Sequence, residues 1–136
     1  MKTRKWVTFG LLLGPVGCGV TEEAKRAEVA SVTVAIDRLR DAPNPAKSDF
    51  LLLLRKTVCT LPDVCALRDS CAKAYGKQVD ALAQIQKLRS QGTAATDLPE
   101  LYRAVQTQLG EARDEAKVCV DNEAKLLDRY RAKSSK

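Results

Sequence analysis

Apolar residues recur every three or four positions along most of this chain. That spacing is typical of amphipathic α-helices, and the alternation expected of strands is almost absent. The pattern predicts four helices, over about residues 22–40, 46–59, 62–91 and 97–131.

The second predicted helix contains five consecutive apolar residues, Phe50–Leu54. A helix that is apolar on all sides is usually buried, so we expect this one to lie inside the protein. The alternative is that one side of Phe50–Leu54 stays exposed and docks a partner.

The last two predicted helices carry long apolar stripes and are joined by a short loop, which predicts an antiparallel hairpin with coiled-coil-like packing. Glu123 is the one misfit on the stripe of the last helix. The stripes consist of Val64, Leu67, Cys71, Ala74, Gln78, Ala81, Ile85 and Leu88, and of Tyr102, Val105, Leu109, Ala112, Ala116, Cys119, Glu123, Leu126 and Tyr130. The sequence therefore predicts an all-α fold, a small bundle of about four helices dominated by the hairpin.

Four cysteines, Cys59, Cys65, Cys71 and Cys119, lie within these helices or beside them. Cys65 and Cys71 would be about 9 Å apart along one helix, whereas a disulfide needs Cα atoms closer than about 7 Å. Cys71 and Cys119 lie at equal distances from the hairpin loop, and Cys59 and Cys65 flank the turn at Pro62. We therefore predict the disulfides Cys59–Cys65 and Cys71–Cys119. A zinc site or a redox pair is disfavoured because no C-x-x-C spacing is present.

The chain contains no histidine. This removes the usual general base and the commonest metal ligand. The adjacent carboxylates Asp114 and Glu115 share a helical face with Arg113 and Lys117, which is better explained as a solvated surface. No glycine-rich phosphate loop is present. We therefore predict no enzymatic activity, cofactor or metal.

Charge adds little to this picture. The whole chain carries a formal charge of +6, but three of its basic residues, Lys2, Arg4 and Lys5, lie in the first few positions. The remaining charges are mixed and aromatic residues are few, so no nucleic-acid partner is predicted. The basic end, Arg129–Lys136, suits the C-terminus of a helix.

The first 18 residues have the layout of a secretory leader. A basic head is followed by the apolar stretch Trp6–Leu13, which is too short to span a bilayer, and then by Gly14 and Pro15–Cys18. This layout resembles the signal peptide of a bacterial lipoprotein, although Pro15 stands where a leucine-like residue is usual. The resemblance implies that Cys18 is lipidated with three fatty acyl chains such as palmitate and becomes the mature N-terminus. It says nothing about the fold beyond residue 20.

The expected organisation is a signal peptide over residues 1–17, a lipid-anchored N-terminus over 18–21, a helical domain over 22–131 and a flexible basic tail over 132–136. Gly19 is not the aspartate that retains many lipoproteins in the inner membrane. By analogy, we expect an outer-membrane lipoprotein of the bacterial cell envelope, held in the bilayer by acylated Cys18.

The expected function is that of a non-catalytic interaction or scaffold subunit of a cell-surface machine for transport, secretion, adhesion or motility. Two alternatives remain open, an inhibitor or binding module against an envelope enzyme, and a peptidoglycan tether through Lys136. The candidate partner contacts lie on the second helix and at the tip of the hairpin. They are Phe50, Leu53, Gln91, Thr93, Asp97 and Leu98.

Overall fold

Four α-helices and one short 3-10 turn make up most of the chain that the computed structural model describes, which is residues 19–90 and 98–132. The described residues contain no strand, so the predicted all-α fold is confirmed. The helices are α1 (Glu22–Asp41), α2 (Lys47–Lys56), α3 (Pro62–Ser90) and α4 (Leu98–Ala132), and the 3-10 turn at Asn44–Ala46 joins α1 to α2.

The start of α1 follows from its sequence. The Thr21 hydroxyl accepts a hydrogen bond from the backbone N–H of Ala24 at 3.2 Å, which caps the first turn. Glu22 and Glu23 place negative charge next to the positive end of the helix dipole. Three residues, Gly19–Thr21, therefore lie between Cys18 and the start of α1.

The predicted end of the second helix was wrong by three residues, since α2 ends at Lys56 rather than at about Cys59. The backbone becomes extended at Thr57, and residues 57–61 form a non-helical link. This link is needed because Cys59 must turn back to bond Cys65 inside the first turns of α3.

The hairpin of α3 and α4 is much longer than the two helices that pack on it. Contacts place the N-terminal part of α1 beside the start of α3, since Glu28 binds Thr60 and Leu61. The C-terminal end of α1 reaches the level of Tyr75, to which Arg40 donates a hydrogen bond. At about 1.5 Å per residue, α1 thus covers roughly the first 20 Å of a helix about 42 Å long.

Two regions of the hairpin therefore differ. We call residues 22–80 and 112–132 the base, which comprises α1, α2, the links that follow them, and the adjoining parts of α3 and α4. We call residues 81–90 and 98–111, where α3 and α4 contact each other without α1, the arm.

The hydrophobic core is divided in the same way. The arm buries Ala81, Leu88 and Val105, with Ile85, Leu98, Tyr102 and Leu109 half-buried around them. The predicted apolar stripes of α3 and α4 supply most of both cores, and α1 adds Val29, Val32, Ile36 and Leu39 to the core of the base. The core of the base consists of Val29, Val32, Ile36, Leu39, Leu51, Leu54, Val64, Leu67, Cys71, Ala72, Tyr75, Cys119, Leu126 and Tyr130.

The expectation that Phe50–Leu54 is buried on all sides was only partly correct. Leu51 and Leu54 are buried, whereas Leu52 and Leu53 are 50% and 55% exposed. Helix α2 has only ten residues and packs on α1 and α3, so two of its sides remain uncovered.

Both predicted disulfides are present, with Cα–Cα distances of 5.4 Å for Cys59–Cys65 and 5.1 Å for Cys71–Cys119. Cys71 and Cys119 are buried in the core of the base. Both disulfides lie in the base, so the described arm contains no covalent link between its helices.

Gly76 lies on α3 beside side chains of α2. A Cβ atom there would lie 3.2 Å from Nη2 of Arg55 and 3.9 Å from Leu51. Gly110 meets nothing within 4 Å, so close packing does not explain that glycine.

Candidate docking groove

A shallow groove of about 560 Å³ runs along the outer side of the base, between α1 and α2. Most of its lining is apolar, and α1 contributes several small residues to it. The lining residues are Ala27, Ala30, Ser31, Val34, Ala35, Arg38, Phe50, Leu53, Lys56 and Thr57.

The groove exposes large apolar side chains that the core does not use. Val34 is 47% exposed and Leu53 is 55% exposed, while Phe50 is half-buried between them and the core. Scattered exposed apolar residues are normal, but a contiguous apolar surface with a polar rim is a feature of interaction sites. The groove is thus the part of the described surface best suited to contact another molecule.

The charged residues that line the groove are both cations, Arg38 and Lys56. Neither forms an ion pair within the described residues, and the carboxylate of Asp37, which precedes Arg38, is paired with Arg40 at 2.8 Å. The groove therefore presents apolar surface together with two positive charges that are available to a ligand.

Hydrogen bonds at the α1–α2 corner set the relative levels of the helix positions that carry these two cations. Lys47 Nζ donates to the carbonyls of Leu39 at 3.1 Å and Arg40 at 3.0 Å, which places the start of α2 beside the end of α1. Helix α2 then runs back towards the N-terminal end of α1. Nine residues separate Lys47 from Lys56, so Lys56 lies about 10 Å nearer the N-terminal end of α1 than Arg38 does.

Lys47 also explains how the α1–α2 corner tolerates a buried charge. Its side chain is buried, and burial lowers the pKa of the ammonium group, with a partial opposing effect from Asp41. Its two bonds satisfy carbonyls at the end of α1 that have no partner within the helix. Lys47 therefore fixes the angle between the two walls of the groove.

A second polar contact holds α1 against the hairpin. Arg40 Nη2 donates to Glu123 on α4 at 2.5 Å, and Arg40 Nε donates to the Tyr75 hydroxyl on α3 at 3.4 Å. Burial raises the pKa of Glu123, although Arg40 partly offsets that effect. Burial alone would lower the pKa of Arg40, but its hydrogen bonds to Tyr75 and Glu123 raise it overall. Arg40 thus explains the misfit that Glu123 makes on the apolar stripe of α4.

Glu28 holds the other end of α1. Its carboxylate accepts hydrogen bonds from the backbone N–H groups of Thr60 at 2.6 Å and Leu61 at 2.7 Å, and from the Thr60 hydroxyl at 2.6 Å. Burial would raise the pKa of Glu28, but these hydrogen bonds lower it overall. Glu28 therefore fixes the link between α2 and α3 beside the Cys59–Cys65 disulfide.

The structure brings together two of the six predicted partner contacts, Phe50 and Leu53, which line the groove. Leu98 is half-buried against the core of the arm rather than displayed at its tip. Gln91, Thr93 and Asp97 lie outside the described residues, as does the predicted lipidation site, Cys18.

Sequence reasoning missed the contribution of α1 to the groove. Val34 lies between the core positions Val32 and Ile36, so it cannot share their face of the helix. The small residues Ala27 and Ser31 lie one helical turn apart and continue the same line towards the N-terminus. An apolar residue off the core stripe, preceded by small residues at helical spacing, was the signal that indicated a second packing face.

Other kinds of site were not found in the described part of the chain. Residues 19–90 and 98–132 contain no group of three or more acidic, cysteine or histidine side chains that could hold a metal ion. None of the helices described here is long and apolar enough to cross a membrane. No known protein family matches the sequence, and no curated protein or solved structure matches it significantly.

Proposed function

We propose that this protein is a lipid-anchored lipoprotein of the bacterial envelope that acts by contact with another protein rather than by catalysis. On this proposal, Cys18 carries the acyl chains, and the groove between α1 and α2 is the contact surface.

The observation that carries the proposal is the use of the cysteines. The chain has five, and the two disulfides account for four of them, which leaves Cys18 as the odd one. Disulfides are typical of oxidising compartments such as the bacterial periplasm. An odd cysteine in an exported chain calls for another role, and Cys18 is the residue that the lipoprotein-like leader would modify.

The fold is suited to this arrangement. Three residues, Gly19–Thr21, separate Cys18 from α1, and a fully extended chain of that length spans about 10 Å. An acylated Cys18 would therefore hold the base next to the bilayer. The described end of the arm, at Ser90 and Leu98, would then point away from the membrane.

Membrane fractionation of cells that express the full chain tests the anchor. The chain without any substitution is expected in the membrane fraction. It should remain there after a high-salt wash, because several acyl chains give stable attachment. The variant Cys18→Ser is expected in the soluble periplasmic fraction.

The matched control is Thr21→Ser, which keeps both Cys18 and a hydroxyl cap on α1. This variant should appear in the membrane fraction, as the chain without any substitution does. The proposal is contradicted if Cys18→Ser remains in the membrane as firmly as Thr21→Ser does.

A further inference from the structure

We propose that the groove between α1 and α2 binds an acidic amphipathic helix of a partner protein, with two carboxylates about two helical turns apart along that helix. This inference rests on the proposed function, because it specifies the partner that the envelope protein would contact.

The shape of the groove favours a helix. The small side chains of Ala27, Ala30 and Ser31 allow a third helix to approach α1 closely, and Val34 and Leu53 are exposed to pack against its apolar face. The stretch of α1 that lines the groove, from Ala27 to Arg38, is about 16 Å long, or three helical turns. An amphipathic helix laid in an apolar groove is a recurrent mode of peptide recognition.

The charge of the groove selects among helices. Arg38 and Lys56 lie on opposite walls of the groove and are offset by about 10 Å along it, which matches two positions six to eight residues apart on a docked helix. Carboxylates at those two positions would face the two cations, with the apolar residues of the partner between them. Opposite charges across an interface also fix its register and disfavour other partners.

The same charges argue against segments of this chain as the occupant. The leader carries Lys2, Arg4 and Lys5, and the C-terminal tail carries Lys133 and Lys136, so each would bring positive charge to a positive groove.

A second copy docked groove to groove would likewise set Arg38 and Lys56 against cations. A flat bilayer surface could contact the exposed rim of the groove but not fill its concave side. A separate, acidic partner fits best.

Site-specific photocrosslinking in the native host tests this inference. A photoreactive amino acid replaces Leu53 in the groove of the full chain, and in a matched control it replaces Val118 on α4. Both positions are more than half exposed, at 55% and 57%, so neither change disturbs the core. Adducts are identified by mass spectrometry, and the crosslinked peptide is mapped.

The expected result is an adduct at position 53, absent at position 118, with a helix whose acidic residues lie six to eight positions apart. The double variant Arg38→Glu/Lys56→Glu should reduce the adduct roughly fivefold or more, and Arg38→Gln/Lys56→Gln should reduce it less. Replacing the two acidic residues of the partner by lysine should restore adduct formation with the Arg38→Glu/Lys56→Glu variant. Unchanged circular dichroism of the variants shows that the fold is intact.

Several results would overturn the inference. They are an adduct with phospholipid, an adduct with a second copy of this chain, equal labelling at positions 53 and 118, or a yield that charge reversal leaves unchanged. Membrane fractionation separates this test from that of the proposed anchor. If the chain stays in the membrane but no adduct forms, only the inference about the groove is contradicted. If the chain is soluble but still forms the adduct, only the proposed lipid anchor is contradicted.

Discussion

The base and the arm are built from the same two helices, yet they are held together very differently. In the base, α3 and α4 are joined by Cys71–Cys119, by an ion pair between Lys77 and Glu115, and by the packing of α1. In the arm, the two helices meet through a few apolar residues and a hydrogen bond of 3.3 Å between Gln84 and Gln108.

This difference indicates where the molecule is rigid. Regions with few buried apolar contacts open at lower free energy than the core of a domain. The groove lies on the rigid region, so the proposed docking surface is preorganised. The arm is the part expected to open first.

The largest effect on the base is expected from removing its buried disulfide. Cys71→Ala/Cys119→Ala opens a loop of 48 residues, and the chain-entropy model gives a loss of about 4 kcal/mol in the free energy of unfolding. Urea unfolding followed by circular dichroism measures this loss.

The matched variant Cys59→Ala/Cys65→Ala opens a loop of only six residues, so the same model gives a smaller loss of about 2 kcal/mol. Equal losses for the two variants would contradict the claim that the larger loop contributes more to the base.

A pair of core substitutions compares the two regions directly. Leu54→Ala in the base should lower the free energy of unfolding of the whole domain by about 3 kcal/mol, because Leu54 is completely buried. Leu88→Ala in the arm should increase amide hydrogen exchange in residues 81–90 and leave exchange in residues 62–75 unchanged. If Leu88→Ala increased exchange equally in both segments, the base and the arm would be one cooperative unit.

The contact between Arg40 and Glu123 predicts a pH-dependent effect. Arg40→Met removes the partner of a buried carboxylate, and we expect a loss of about 2 kcal/mol at pH 7, less than for a fully buried pair because Arg40 is partly exposed. The folded state raises the pKa of Glu123 above its ordinary value near 4.5. Protonation of Glu123 therefore stabilises the folded state fully at a pH below the ordinary pKa. This stabilisation is lost as the pH rises through the raised pKa of the folded state.

The loss caused by Arg40→Met should accordingly be smaller at pH 4 than at pH 7, as measured by urea unfolding at both values. Arg38→Met, which removes a cation that has no ion pair in the described structure, is the matched control and should change stability little at either pH. A loss for Arg40→Met that grew on acidification would contradict the pairing of Arg40 with the ionised carboxylate of Glu123.

A smaller effect is expected at the other end of α1. Glu28→Gln weakens the hydrogen bonds to Thr60 and Leu61 and should cost about 1 kcal/mol at pH 7. The folded state lowers the pKa of Glu28, so the stabilisation by its ionised carboxylate is fully present at a pH above the ordinary pKa. It is lost as the pH falls through the lowered pKa. Thermal unfolding from pH 7 to pH 3 measures the effect. Glu23→Gln, at an exposed position of α1, should show a smaller one.

Much of the fold could be predicted from the sequence because local patterns determine it. The stripes of α3 and α4 set the hairpin, and equal distances from its loop placed Cys71 opposite Cys119. Turn chemistry at Pro62 placed Cys59 near Cys65. Each of these inferences needed only helical geometry and residue spacing.

The groove could be predicted only in part. Phe50 and Leu53 were identified as candidate contacts from an apolar run in α2. Their position against α1 depends on the α1–α2 corner, which Lys47 fixes through two carbonyls of α1. The contact between Arg40 and the buried Glu123 likewise joins residues 83 positions apart, and no local pattern indicates such a contact.

One measurement tests the account most directly, the intact mass of the full chain extracted from native membranes without reducing agent. The account predicts a chain that begins at Cys18, carries the mass of three acyl chains, and gains four mass units on reduction as Cys59–Cys65 and Cys71–Cys119 open. A chain without acyl mass, or one whose mass reduction leaves unchanged, would contradict it.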